Sequence, residues 1–90
     1  MMITKDNLKD VMNSISKDDL DTVMQSSCDY CLLWVHIFNA GYTVSLEPYD
    51  YNEEKEQEAN DNGQLFIDVD NLFMLYDESG ATNEHFMPYL

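Results

Sequence analysis

The amino-acid sequence predicts a small α+β domain with about three N-terminal helices packed on a small antiparallel sheet. In the first third, apolar residues recur at steps of three and four, which is typical of amphipathic helices. Two later segments alternate apolar and polar residues, which indicates half-buried strands. At 90 residues, the chain has room for one domain. We expect that domain to span residues 1–90, with an acidic loop or helix at 48–62 and a short tail at 81–90.

Two helices are predicted before residue 26. We expect Thr4 or Asp6 to cap the first and Ser16 to cap the second, because short polar side chains accept hydrogen bonds from the first turn. The apolar face of the first helix is formed by Leu8, Val11, Met12 and Ile15. The apolar face of the second is formed by Leu20, Val23 and Met24.

The segment Cys28–Ala40 fits either a strand or a helix. Its β-branched and aromatic run Leu32–Phe38 is typical of a buried strand. Ser26 and Asp29 fit a capping box, however, and Gly41 fits the position just after a helix. Thirteen residues also exceed a usual strand. We therefore predict a central helix that is buried on nearly every side.

The next alternating segment, Tyr42–Leu46, predicts a strand that Pro48 ends. Its inward side chains are expected to be Tyr42, Val44 and Leu46. Glu53–Glu58 is predicted as a solvated helical turn or a loop, and Asn60–Gly63 as a turn.

The last part of the chain predicts a further strand at Gln64–Val69. Its expected inward residues are Leu65, Ile67 and Val69. Asp70–Asp77 is either a third strand or a short helix capped by Asp70, and Gly80 ends it. This order of elements resembles that of winged helix-turn-helix modules, with residues 49–62 as an enlarged wing.

Charge is the most unusual property of the sequence. Eighteen acidic residues face four lysines and no arginine, and the net charge is −14. Such a chain repels phosphate and anionic lipid. We therefore expect no direct contact with nucleic acid or membranes, and a basic protein surface as the partner.

The predicted location is the cytoplasm. Met1–Asn7 lacks the apolar stretch of a signal peptide, and the longest apolar run, Cys31–Phe38, is too short to span a bilayer. Two cysteines are fewer than a small disulfide-stapled secreted domain usually carries.

Cys28 and Cys31 form a C-x-x-C pair, which is a weak candidate for metal or redox chemistry. A structural zinc site usually shows a second pair, and here only His36 and His85 could complete the set. We predict instead two small buried side chains on one helix face, and no cofactor.

No motif predicts catalysis. The sequence lacks a nucleophile elbow, a metalloprotease helix motif and a phosphate-binding glycine loop, and it holds three glycines in total. We expect the protein not to be an enzyme.

The segment 47–61 is the predicted binding site, with seven acidic residues and one lysine. Its candidate partner-binding residues are Glu47, Asp50, Tyr51, Glu53, Glu54, Glu56, Glu58 and Asp61. A fully helical segment would carry one net charge per roughly 3.5 Å, near the phosphate spacing of one DNA strand. In size and charge the chain is similar to small acidic decoys of phages and mobile elements that block restriction or CRISPR enzymes. The alternative is a hydrated loop that only keeps the protein in solution.

A second hypothesis is a structural or assembly protein that forms homodimers through apolar contacts. Its expected contact residues are Trp34, Phe73 and the tail Phe86–Leu90. Because the apolar tail is costly to expose, we expect it to pack onto the chain's own sheet or helices or, alternatively, to dock into a twin subunit.

Overall fold

The computed structural model describes residues 2–38 and 41–90, with the backbone alone at 37, 38, 41 and 42. The elements follow in the order α1 (Leu8–Asn13), α2 (Lys17–Gln25), β1 (Tyr30–Phe38), β2 (Gly41–Tyr49), α3 (Glu53–Asp61), β3 (Leu65–Asp68), α4 (Val69–Ser79) and a C-terminal 3-10 helix (Glu84–Tyr89). The predicted α+β class is confirmed.

The sheet has three strands in the order β2-β1-β3, and both neighbours run antiparallel to β1. Leu33 in β1 lies opposite Leu46 in β2 and Leu65 in β3. β3 is short and pairs only with Tyr30–Leu33. The second half of β1 is therefore paired on the β2 side alone within the described residues.

The predicted helix over Cys28–Ala40 is wrong, because residues 30–38 form the central strand; residues 39 and 40 lie outside the described residues. Cys31 and Leu33 point into the main core, whereas Leu32 packs on the opposite face. Because the first half of the strand is covered on both faces, apolar residues follow one another there without alternation. Two helices, not three, precede the sheet, which removes the basis of the winged-helix comparison.

In β2 the predicted inward residues Val44 and Leu46 are buried, and the side chain of Tyr42 lies outside the described residues. Pro48 does not end the strand, which continues to Tyr49. The Leu46 N–H donates to the Asp19 carboxylate at 3.2 Å and so points away from β1. Two residues on, the nitrogen of Pro48 faces the same free edge, where proline removes no ladder hydrogen bond.

The predicted cap of α2 is confirmed, since the Ser16 hydroxyl accepts from the Asp19 N–H. The predicted caps of α1 are wrong: its N-cap is Asn7, whose side chain makes no capping bond and instead accepts from the Thr4 N–H.

The segment 70–77 is a helix, one of the two predicted alternatives, but its cap differs from the expected one. Asp68 accepts from the Asn71 N–H at 2.7 Å, which places Asp70 in the first turn. Val69 therefore begins α4 and is not part of β3. Gly80 ends the helix in a left-handed conformation, as expected.

The main core lies between one face of the sheet and α1, α2, α4 and the C-terminal 3-10 helix. Phe86 of that helix is fully buried and stacks on the Tyr76 ring at 4.1 Å between centroids. Asn83 is buried beside it and donates to the backbone oxygens of Met12 and Ile15. The tail is therefore part of the domain and closes one side of the core.

Candidate protein-interaction surface

The face of the sheet opposite the main core, here called the outer face, carries a second and smaller apolar cluster. Its buried residues are Leu32, Ala59 and Phe66, with Tyr30, Trp34 and Tyr49 packed around them. Ala59 belongs to α3, which lies mainly against β3. In the described part of the chain, α3 is the only helix on this face.

The sequence of α3 determines both of its ends. Asn52 accepts from the Lys55 N–H at 3.0 Å and caps the N-terminus. Glu53, Glu54 and Glu56 occupy the first turn, where negative charge is favourable near the positive end of the helix dipole. The predicted turn follows at Gly63, whose φ of 69° suits glycine. The acidic segment is therefore helical in its second half.

Ala59 is the only residue of α3 that is buried. The exposed acidic side chains of the helix are Glu53, Glu54, Glu58 and Asp61, and Glu56 is partly exposed. We call these five residues and Glu47 the acidic surface. Because one small side chain is buried, α3 contributes little apolar stabilisation and presents its charge to solvent.

Lys55, the single cation of the segment, faces the sheet. Its ammonium lies 5.1 Å from the centroid of the Tyr49 ring and 4.0 Å from Glu58. Lys55 is partly buried, whereas Glu58 is exposed. The outward side of α3 therefore has no cation of its own.

The other predicted site residues divide between two places. Glu47 is exposed on β2, opposite Leu32, and accepts from the Tyr49 hydroxyl at 3.3 Å. It therefore shares the outer face with α3. Asp50 lies instead beside Cys28, whose thiol it contacts, so it is not part of the acidic surface.

Tyr51 lies near the start of α3 and is 56% exposed. The centroid of its ring lies 5.0 Å from that of the Tyr30 ring. The carboxylate of Glu56 raises the pKa of its hydroxyl, and burial and Glu53 add to the effect. The negative electrostatic potential of these two carboxylates would also attract an approaching cation.

The charge spacing expected for a fully helical segment does not apply. Helix α3 has nine residues and a length of about 13.5 Å, while Glu47 lies on a strand. The acidic surface therefore spans a helix and a strand edge and is not a single linear row.

Trp34 is a further residue of the outer face that the helix prediction misplaced. It is partly exposed, and its indole N–H donates to Nδ1 of His36 at 3.3 Å. The signal was present in the sequence: in a strand, Leu32, Trp34 and His36 share one side.

The cysteines do not share a helix face as predicted. Cys31 is buried in β1, and Cys28 precedes the strand in a partly buried position. Burial raises the pKa of Cys31 to about 12, and burial followed by Asp50 raises the pKa of Cys28. Thiols of raised pKa are poor nucleophiles at neutral pH. Among the described residues, no three His, Cys, Asp or Glu side chains are arranged to hold a metal ion.

Within residues 2–38 and 41–90, no helix has the length and apolarity needed to cross a membrane. We compared the chain with protein-family models, curated proteins and solved structures, and none of them matches it.

Proposed function

We propose that this protein is a non-enzymatic interaction module, an inhibitor or adaptor, that presents carboxylates to a basic protein surface. The observation that carries the proposal is the orientation of α3. Its acidic side chains face solvent, while Lys55 faces the sheet and pairs with one of them, Glu58, at 4.0 Å.

The remaining lysines are placed where they do not screen the acidic surface. Lys5, Lys9 and Lys17 lie on or beside α1 and α2, which pack on the opposite face of the sheet. Three of the four lysines therefore lie away from α3, although the eleven acidic residues outside residues 47–61 keep that part of the chain negative as well. A basic partner that approaches α3 therefore meets carboxylates and none of these three lysines.

The proposal predicts strong dependence on salt. Exposed charges are screened within about 8–10 Å at 0.1–0.15 M salt, so association through the acidic surface weakens as ionic strength rises. Contacts made mainly through apolar surface would respond much less.

Affinity capture at low salt tests the proposal when two matched variants are used. The α3-neutral variant carries Glu53→Gln, Glu54→Gln, Glu56→Gln and Glu58→Gln. The control variant carries four neutralised acids that are exposed elsewhere: Asp6→Asn, Asp10→Asn, Asp77→Asn and Glu78→Gln. Both lose four negative charges.

We expect the wild-type and control proteins to retain a basic protein that elutes as salt rises, and the α3-neutral variant to lose it. Circular dichroism should show both variants folded. Equal retention by all three proteins would contradict the proposal.

A second candidate function is self-association as a structural or assembly protein. Met87 and Leu90 are 64% and 66% exposed although their neighbour Phe86 is buried. Deleting the tail would remove Phe86 from the core, so the sharper test is Met87→Ser with Leu90→Ser in sedimentation experiments. A salt-insensitive dimer that these changes dissociate would favour this candidate over the first.

A further inference from the structure

We propose that the uncovered part of the outer face beside α3 binds arginine side chains of the basic partner, with Trp34 as the stacking platform. This inference rests on the proposed function and specifies the chemistry of the partner. The arginine contact lies on the strands of the sheet, next to the carboxylates of α3.

The surface exists because α3 covers only one side of the outer face. The helix lies mainly against β3, which pairs with Tyr30–Leu33 and stops before Trp34. Ser45 lies opposite Trp34, and Thr43 lies opposite His36. All four side chains are exposed or partly exposed. In the described residues, no helix packs over this half of the face.

The chemistry of the exposed groups favours a planar cation. The Trp34 N–H is directed at His36, and the indole packs beside the outer-face cluster but stays partly exposed, so the exposed part of its ring is open to a ligand. Guanidinium groups stack on indole rings and are more weakly hydrated than ammonium groups.

Glu47 supplies the matching charge. It lies two residues from Ser45 on the same side of β2 and is therefore a diagonal neighbour of Trp34. Its carboxylate is exposed and suits a bidentate pair with arginine. A guanidinium on Trp34 would thus meet an aromatic ring and a carboxylate together.

The occupant has to be a different protein. A second copy of this chain contains no arginine and carries a net charge of −14, so it offers neither the guanidinium nor an attractive field. Nucleic acid is repelled by the same charge. An arginine-bearing segment of a basic protein satisfies both the ring and the carboxylates.

Trp34 is the single tryptophan of the chain, so its indole N–H gives one NMR signal that reports on this site. The probes are nona-arginine and nona-lysine, added to ¹⁵N-labelled protein at low salt. We expect both peptides to shift amide signals of α3. Nona-arginine alone should also shift the indole signal and change the Trp34 fluorescence.

Glu47→Gln provides the matching variant, because its side chain is exposed and the change preserves size. We expect it to weaken nona-arginine binding by about fivefold and nona-lysine binding by less than about twofold. Asp77→Asn, on α4, removes the same charge elsewhere and should weaken both peptides equally and slightly.

Two results would overturn the inference while leaving the proposed function intact: an indole signal that nona-arginine does not move, or one that both peptides move alike. Failure of both peptides to bind at low salt would contradict the proposed function itself.

Discussion

The Lys55 ammonium lies 5.1 Å from the centroid of the Tyr49 ring, on the side of α3 that faces the sheet. This contact holds the helix to β2 and also removes the one local cation from the outward side of α3. A single side chain therefore links the stability of the acidic helix to the uncompensated charge of its surface.

Lys55→Gln should loosen α3 while leaving the rest of the fold intact. Cation–π contacts at exposed sites contribute about 0.5–1 kcal/mol, and the carboxylates of α3 would lose their nearest cation. We expect faster hydrogen exchange at the amides of α3, with little change in the main core. Lys9→Gln, at an exposed position of α1, removes the same charge and should leave hydrogen exchange at the amides of α3 unchanged. Equal effects of the two variants would contradict the role assigned to Lys55.

Asn83→Ala should destabilise the whole domain. The amide of Asn83 donates to the oxygens of Met12 and Ile15, and its own oxygen accepts from the His85 N–H. Removing a buried partner of this kind costs about 1–3 kcal/mol. Denaturant unfolding measures the loss, and Asn71→Ala, at an exposed position of α4, is the control. If Asn83→Ala lowered the free energy of unfolding no more than the control does, the hydrogen bonds of Asn83 would not be what holds the tail.

Asp21 should stabilise the attachment of the tail in a pH-dependent manner. Hydrogen bonds from Lys17 and then from Tyr89 lower the pKa of this carboxyl below its ordinary value of 3.8. A lowered pKa in the folded state means stability that is present above pH 3.8 and lost as the pH falls through the folded value.

The test compares wild type with Asp21→Asn by denaturant unfolding at about pH 7 and about pH 2. We expect the variant to be less stable than wild type at the higher pH, and this difference to shrink at the lower pH, as protonation of Asp21 removes its advantage. The same difference at both values would contradict this account of the carboxyl.

The two thiols should react slowly in the native protein. Burial raises the pKa of Cys31 to about 12, and the pKa of Cys28 is also raised. Little thiolate is therefore present at neutral pH. Mass spectrometry after iodoacetamide treatment should show slow labelling of Cys28 and protection of Cys31 until the protein is denatured. Rapid labelling of Cys31 in the folded protein would contradict its placement in the core.

Local signals in the sequence predicted most elements, whereas the central strand depended on information from elsewhere in the chain. The Ser16 cap and the Gly80 ending act within a few residues and were predicted correctly. Ser26 and Asp29 also suggested a cap, but the Asp29 carbonyl accepts from the Val69 N–H, 40 positions along the chain. A long-range contact of this kind leaves no local pattern.

The candidate site was predicted in composition but not in shape. The acidic residues of α3 were identified because charge is visible in the sequence. The inward direction of Lys55 depends on the position of Tyr49 across the sheet, and the exposure of Trp34 depends on where β3 stops. Both are consequences of strand register, which the helix prediction for Cys28–Ala40 excluded.

The salt dependence of nona-lysine binding, measured by calorimetry for wild type, the α3-neutral variant and the control variant, tests the central claim most directly. We expect the α3-neutral variant to bind at least about tenfold more weakly at low salt and to show a shallower dependence on salt. The control variant should stay within about twofold of wild type. Equal weakening of the two variants would show that net charge alone, and not the outward carboxylates of α3, governs binding.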